Sequence, residues 1–206
     1  QVSDPGLPGI VKRKIVRIVT PGTTTSEQIL NRKVNRFVMS LYIKKDYFGM
    51  AFCDLSTGEF QTAEFQGKEE LRGELLRLTP AELVLARDQY DDPAVRATVA
   101  ELSEVTVSPC DFREAASRLL SRHLKGTTLD IFGIANRPFA IQASGILLTY
   151  LLDTQKEALP HISRIDPYRR DDFMPLDEAT IRNLELFGGE GTLLSILDET
   201  QTSMGG

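Results

Sequence analysis

The chain is short of the residues that staple small specialised domains. It has two cysteines, Cys53 and Cys110, among 206 residues. Two isolated cysteines give no disulfide framework, so reduced, structural thiols in a cytosolic protein are expected. Its two histidines, His123 and His161, are far apart in sequence and neither lies near a cysteine, so no local metal-ligand spacing is present. His123 is expected in the last turn of a helix, bonding terminal carbonyls, and His161 in a surface loop. There is no excess of basic charge: 24 Lys and Arg against 29 Asp and Glu leave a net charge of −5. That balance argues against a domain whose main task is gripping nucleic acid. The local cluster Lys12, Arg13, Lys14 and Arg17 is read as a solvated strand edge. Long apolar runs are missing as well. The most apolar stretch, Phe139–Leu152, is interrupted by Gln142, Ser144 and Thr149, too short for a bilayer and suited to a buried helix. The first residues are polar and carry Pro5, Gly6 and Pro8, unlike a secretory leader.

Catalytic signatures are equally scarce. A phosphate loop needs a glycine-rich turn ending in Gly-Lys-Ser/Thr. The one Gly-Lys pair, Gly67-Lys68, is followed by Glu69 and lacks the upstream glycine. No serine stands in a nucleophile elbow. No catalytic, cofactor or metal residue is therefore assigned.

What remains is ordinary globular material, 41% hydrophobic and 26% charged, able to form a core without staples. Gly9–Thr20 is rich in β-branched residues and reads as one extended segment closed by a Pro21-Gly22 turn. It lacks a nearby hairpin partner, and Thr23–Lys33 reads as a linker. Arg36–Ile43 and Tyr47–Leu55 are continuous apolar runs joined by Lys44-Lys45-Asp46, a hairpin whose strands should be covered on both faces. After Ser56-Thr57-Gly58, the more polar Glu59–Phe65 reads as an edge strand. Leu71, Leu75 and Leu78 mark a helix face ending at Thr79-Pro80, and Leu83–Ala86 is a short buried strand. Asp92-Pro93 starts a capped helix whose inner face is Val95, Val99 and Leu102. Val105–Val107 is a further short strand. Asp111 and Glu114 have capping-box spacing and open a helix through Leu124 that ends near Gly126. A buried helix then runs from Pro138 to about Lys156, with Ala140, Ala143, Ser144 and Gly145 permitting close packing.

Three hairpin-linked strands followed by crossover units predict an α/β fold, a mixed sheet flanked by helices in the ribonuclease H-like order. An active nuclease of that fold would need clustered carboxylates holding metal ions. The first strand contains no acidic residue. Asp54, at one strand end, and Asp88, just after another, are the available pair. The simpler role for Asp54 is to stabilise the Ser56-Thr57-Gly58 turn. Asp91-Asp92 and Asp171-Asp172 read as capping or solvated acids. Beyond Leu159 the texture changes, with Asp166-Pro167, Met174-Pro175 and Gly188-Gly189 around a short helix near Leu176–Phe187. The chain stops just after the periodic segment Leu193–Leu197, as a piece of a longer protein would.

Several phrases resemble, in order, those of the MutS family of DNA mismatch-repair proteins. They are Val16-Arg17-Ile18-Val19-Thr20-Pro21-Gly22-Thr23, Phe48-Gly49 with Asp54-Leu55-Ser56-Thr57-Gly58-Glu59-Phe60, and Thr79-Pro80-Ala81-Glu82-Leu83. Asp153-Thr154-Gln155-Lys156 with Leu159-Pro160-His161-Ile162 follows. Last come Leu176-Asp177, Thr180, Arg182-Asn183-Leu184-Glu185-Leu186, Thr192-Leu193-Leu194, Leu197-Asp198, Thr200 and Met204-Gly205. The stretch between Phe187 and Thr192 is shorter than that family's usual form. The resemblance implies three parts. Residues 1–33 would end a mismatch-recognition domain with its linker, 34–158 form a ribonuclease H-like connector, and 159–206 begin a lever domain. It implies a non-catalytic coupling module in a cytoplasmic protein, with ATP, magnesium and mismatched DNA handled elsewhere in a dimeric parent. This piece alone would be a monomer. It also implies a partner, MutL. The helix over Phe112–Leu124 presents Arg113, Arg118 and Arg122 opposite its Leu119, Leu120 and Leu124 side. Arg118 and Arg122 are the candidate MutL-facing residues, with an ordinary solvated helix face as the plainer alternative.

Overall fold

A computed structural model describes residues 18, 20–23, 37–126, 128–155 and 159–169, with isolated positions 180, 183–185, 192, 196 and 197. The extended tract Gly9–Thr20, apart from Ile18 and Thr20, lies outside the described residues. So do the linker beyond Thr23 and, apart from those isolated positions, the helix near Leu176–Phe187 and the segment Leu193–Leu197.

The hairpin forms as the sequence predicts. Strands β1 (Phe37–Lys44) and β2 (Tyr47–Asp54) are antiparallel, with Lys44 opposite Tyr47. The two-residue turn is entered through Lys45 at φ 57, the left-handed conformation that tight hairpins demand. Strand β3 (Glu59–Gln66) pairs antiparallel with β2. Helix α1 (Lys68–Leu78) leads to β4 (Glu82–Ala86), which lies parallel to β1. The helices α2 (Arg87–Asp91) and α3 (Pro93–Leu102) carry the chain to β5 (Val107–Cys110), parallel to β4. Helices α4 (Ala116–His123) and α5 (Pro138–Gln155) precede a two-residue strand, β6 (Asp166–Pro167). The sheet order is β5-β4-β1-β2-β3-β6. This is the mixed α/β sheet expected, in the ribonuclease H-like order. β3 is not quite the edge, because β6 pairs with it at Gln61 and Thr62.

The sheet has two differently built faces, because side chains alternate along a strand. On β2, Phe48, Met50 and Phe52 pack with Leu71, Leu75 and Leu78 of α1 and with Val99 and Leu102 of α3. The intervening Gly49, Ala51 and Cys53 are small. Ala51 and Cys53 belong to the opposite core, which contains Ala143, Ile146, Leu147 and Leu151 of α5 and Leu119 and Leu120 of α4. Helix α5 can therefore lie close on the sheet. A Cβ at Gly49 would fall 2.0 Å from the Phe139 carbonyl oxygen. Polar groups on this face bond the helix: Ser40 Oγ donates to the Ala143 carbonyl at 2.7 Å, and Thr62 Oγ1 to that of Ala140 at 3.1 Å. The close packing expected at Gly145 is present too, since a Cβ there would meet the Ala116 Cβ at 2.7 Å. No helix among the described residues is long and apolar enough to cross a membrane.

Three local expectations need correction. The last parallel strand runs over Val107–Cys110 rather than Val105–Val107. Pro109 is tolerated there because β5 is an edge, where a missing N–H can face outward. The capping box does not form: α4 begins at Ala116 with no side-chain cap. Glu114 is engaged by Arg122 and Asp111 by Arg87, so both carboxylates have longer-range partners. His123 does not bond its own helix's last carbonyls either. Its Nε2 donates to the Ile162 carbonyl at 3.0 Å, while α4 closes through Gly126 N–H to Ser121 O at 2.7 Å. By contrast Asp92 caps α3 as its sequence signal indicates, accepting from Ala94 N–H at 2.8 Å.

Candidate functional site

The functional geometry lies where the chain arrives at the sheet and where it leaves. The leading segment turns at Thr20-Pro21-Gly22-Thr23, closed by Thr23 N–H to Thr20 O at 3.1 Å. It docks on the α5 face, with Ile18 N–H donating to Thr154 O at 2.7 Å. Its centre is Glu82, the first residue of β4, which is fully buried. Glu82 Oε2 accepts from Gly22 N–H at 3.1 Å, while Oε1 accepts from Ser108 Oγ at 2.5 Å and from Tyr150 OH at 2.6 Å. Because all three partners donate, a carboxylate can be buried there with both of its oxygens hydrogen-bonded. Burial first, and then the bond to Glu82, push the Tyr150 hydroxyl up to about 12.

The trailing segment crosses the opposite edge. Leu159, Ile162 and Ile165 belong to the α5-side core and Tyr168 to the other, so the chain wraps the β3 edge through β6. Tyr168 OH donates to the buried carboxylate of Glu74 on α1. Arg77 bonds both residues, and its guanidinium lies 5.1 Å from the Tyr168 ring centre. Burial, then the bond to Glu74, raise the Tyr168 hydroxyl well above the ordinary phenol value. The His123 bond to Ile162 ties the C-terminal end of α4 to the same segment.

Of the arginines picked out from sequence, Arg118 and Arg122 sit on α4, while Arg113 precedes it because the helix starts only at Ala116. Arg118 is exposed. Arg122 makes a two-pronged bond to Glu114, with both nitrogens 2.8 Å from the carboxylate oxygens. Its side chain is 64% exposed, and an ion pair that open contributes at most about 1 kcal/mol. Both side chains thus lie at the surface of the helix whose last residue, His123, bonds the trailing segment at Ile162.

The nuclease alternative fares poorly on topology. Asp54 lies opposite Phe37, at the start of β1. Asp88 neighbours Gln89, whose side chain bonds both backbone groups of Ile43 at the far end of that strand. Six strand steps, roughly 20 Å, separate those levels, so the two carboxylates cannot share an ion pair flanking one phosphate. Asp54 does what its turn requires: Oδ1 accepts from Ser56 N–H at 2.7 Å and Ser56 Oγ at 2.6 Å. Gly58, at φ 77, completes the turn. Facing it, Glu59 is raised by burial and by Asp54. Among the described residues no group of three or more His, Cys, Asp or Glu is arranged to hold a metal.

Sequence reasoning missed Glu82, Tyr150, Glu74 and Tyr168 as a set. One faint signal existed, a charged residue directly abutting the buried run Leu83–Ala86.

Residues 36–163 match the family described as MutS domain II. Over its whole length the chain is 41% identical to the DNA mismatch repair protein MutS of Dehalococcoides mccartyi strain CBDB1. It is 37% identical to that of Halothermothrix orenii and 35% to that of Methanococcoides burtonii. The chain spans about a quarter of each relative's length, 24–25%.

Proposed function

The chain belongs to the MutS family, and on that premise we propose that it is the non-catalytic connector module of a DNA mismatch-repair protein. It couples mismatch recognition before it to an ATPase after it, and it offers MutL a docking surface. The observation that carries this reading is the pair of anchors. The chain is fastened where it arrives, on Glu82, and where it leaves, on Glu74, to one sheet packed on both faces. A body so built transmits displacement rather than absorbing it, because packed interiors are poorly compressible. Mismatched DNA, ATP and dimer contacts belong to the remainder of the longer protein. The two buried thiols suit a reducing cytoplasm.

MutL docking is assigned to the exposed face of α4 around Arg118 and Arg122. A rigid helix with long cationic side chains, tied through His123 to the trailing segment, can report that segment's position to a partner. The test uses the full-length protein. An Arg118→Glu, Arg122→Glu variant should lose MutL retention in a pull-down while keeping mismatch binding; unchanged retention removes the docking surface. A Tyr168→Phe, Glu74→Gln variant should bind mismatched DNA normally yet show weaker mismatch-dependent ATP turnover. Parent-like turnover would contradict the coupling role.

A further inference from the structure

We infer that Glu82 is a positioning residue, a latch that holds the leading segment in one docked place and releases it as a unit. The functional consequence rests on the connector reading; the latch itself rests on contacts. Glu82 is fully buried, yet its partners come from three separate parts of the chain: Gly22 of the leading segment, Ser108 of β5 and Tyr150 of α5. Two of these, Ser108 and Tyr150, belong to the body and aim Oε1. That orientation leaves Oε2 directed at the single amide of Gly22. The Thr20 hydroxyl also reaches Tyr150. Thr20 and Thr23 bond each other through their hydroxyls at 2.8 Å, and Thr23 is fully buried. The turn and the carboxylate are thus coupled, so partial release leaves buried polar groups unsatisfied on both sides.

Steric fit selects the same arrangement. A Cβ at Gly22 would lie 2.6 Å from Val38 Cγ2, 3.1 Å from Glu82 Cβ and 3.2 Å from Glu82 Oε2. The only residue that reaches this amide position without collision is glycine. Val38 is a fully buried side chain of β1 and cannot swing away as a flexible terminus would. The segment is therefore either seated with Gly22 against β1 or lifted off altogether. Such a two-position element lets a domain upstream be held rigidly or freed without disturbing the sheet.

Hydrogen exchange by mass spectrometry on the full-length protein tests this, reading residues 18–23 against residues 48–53. Gly22→Ala should speed exchange at 18–23 by about 10- to 100-fold and leave 48–53 at the parent rate. Glu82→Gln keeps an acceptor for Gly22 and an amide for the two hydroxyls, so it should stay nearer the parent than Glu82→Ala. Should Glu82→Ala fail to fold, Tyr150→Phe carries the comparison, with an intermediate effect. Parent-like exchange at 18–23 in Gly22→Ala overturns the latch. So does equal acceleration in both regions, which would make the contact a general part of the core. Mismatch-dependent ATP turnover separates the two readings. Faster exchange with unchanged turnover supports the latch and counts against the connector role.

Discussion

Adding one methyl group to Gly49 should be among the most damaging single changes this sheet can suffer. An ideal Cβ there lies 2.0 Å from the Phe139 carbonyl oxygen and 2.3 Å from its carbon, whereas ordinary contact begins at 3.4 Å. Something must move by roughly 1.4 Å, and both obstacles are backbone. The helix end that would have to move is held from three sides. Phe139 N–H donates to Glu64 Oε2 at 2.9 Å, and the Ala140 and Ala143 carbonyls accept from Thr62 and Ser40 at 3.1 and 2.7 Å. Overpacking alone costs about 1–3 kcal/mol, and a loosened hydrogen bond to a carboxylate adds about 1.5–3 kcal/mol. Gly49→Ala should therefore cost about 3–5 kcal/mol, a large part of a typical domain's stability of about 5–15 kcal/mol. For a chain of this size the midpoint should fall by roughly 10–15 °C. Gly73, inside α1, is the matched control, because nothing lies within 4 Å of its added Cβ. Gly73→Ala should stabilise the chain by about 0.5–1 kcal/mol through helix propensity. Urea and thermal unfolding followed by circular dichroism would measure both. A Gly49→Ala loss below about 1 kcal/mol would refute the claim that α5 is seated on the sheet backbone to backbone.

Two further outcomes follow from the buried titratable groups. The Tyr150 hydroxyl rises from an ordinary 10.0 to about 12. Below the lower value, folded and unfolded chains both hold the proton and this group is neutral in the balance. Above it the unfolded chain loses the proton first, so its share of stability declines as pH climbs from about 10 toward about 12. The urea midpoint should therefore drop less steeply over that range in Tyr150→Phe than in the parent, and parallel slopes would contradict the Glu82 contact. Burial also raises both thiols, Cys53 far above and Cys110 up to about 12. Alkylation by iodoacetamide at mildly alkaline pH should then be at least about 1000-fold slower in the folded chain than in urea. A thiol that reacts natively at the unfolded rate would place it outside the core.

Much of this fold is legible because its signals are local. The β1–β2 hairpin shows in two continuous apolar runs around a charged turn, and both faces of those strands are indeed covered. Asp92-Pro93 announces α3, and the three leucines of α1 stop at Thr79 in the left-handed conformation. The failed capping box has a tertiary cause. Asp111 and Glu114 have the right spacing for a cap but find Arg87 and Arg122 instead. A local motif is only an offer, and a charged partner brought near by tertiary structure can outbid it. The five-residue α2 is too short to carry a periodic signal, and Pro109 disguises a strand that tolerates it only by being an edge.

The anchors are hidden for a deeper reason. Glu82 meets Gly22 and Tyr150 across 60 and 68 positions, and Tyr168 meets Glu74 across 94. No window of sequence contains both halves. Yet the face that receives α5 does leave a trace: Ser40, Gly49, Thr62, Glu64 and Glu82, polar or small residues of β1 to β4, all lie on that one side of the sheet. Oil-filled strands would bury a helix there without fixing its position along the sheet. The polar residues bond α5 at Phe139, Ala140, Ala143 and Tyr150, and the small one lets its backbone descend. Residues that look like weak strand sequence are thus what sets the helix in register, and Glu82 extends the same device to the segment that precedes the sheet.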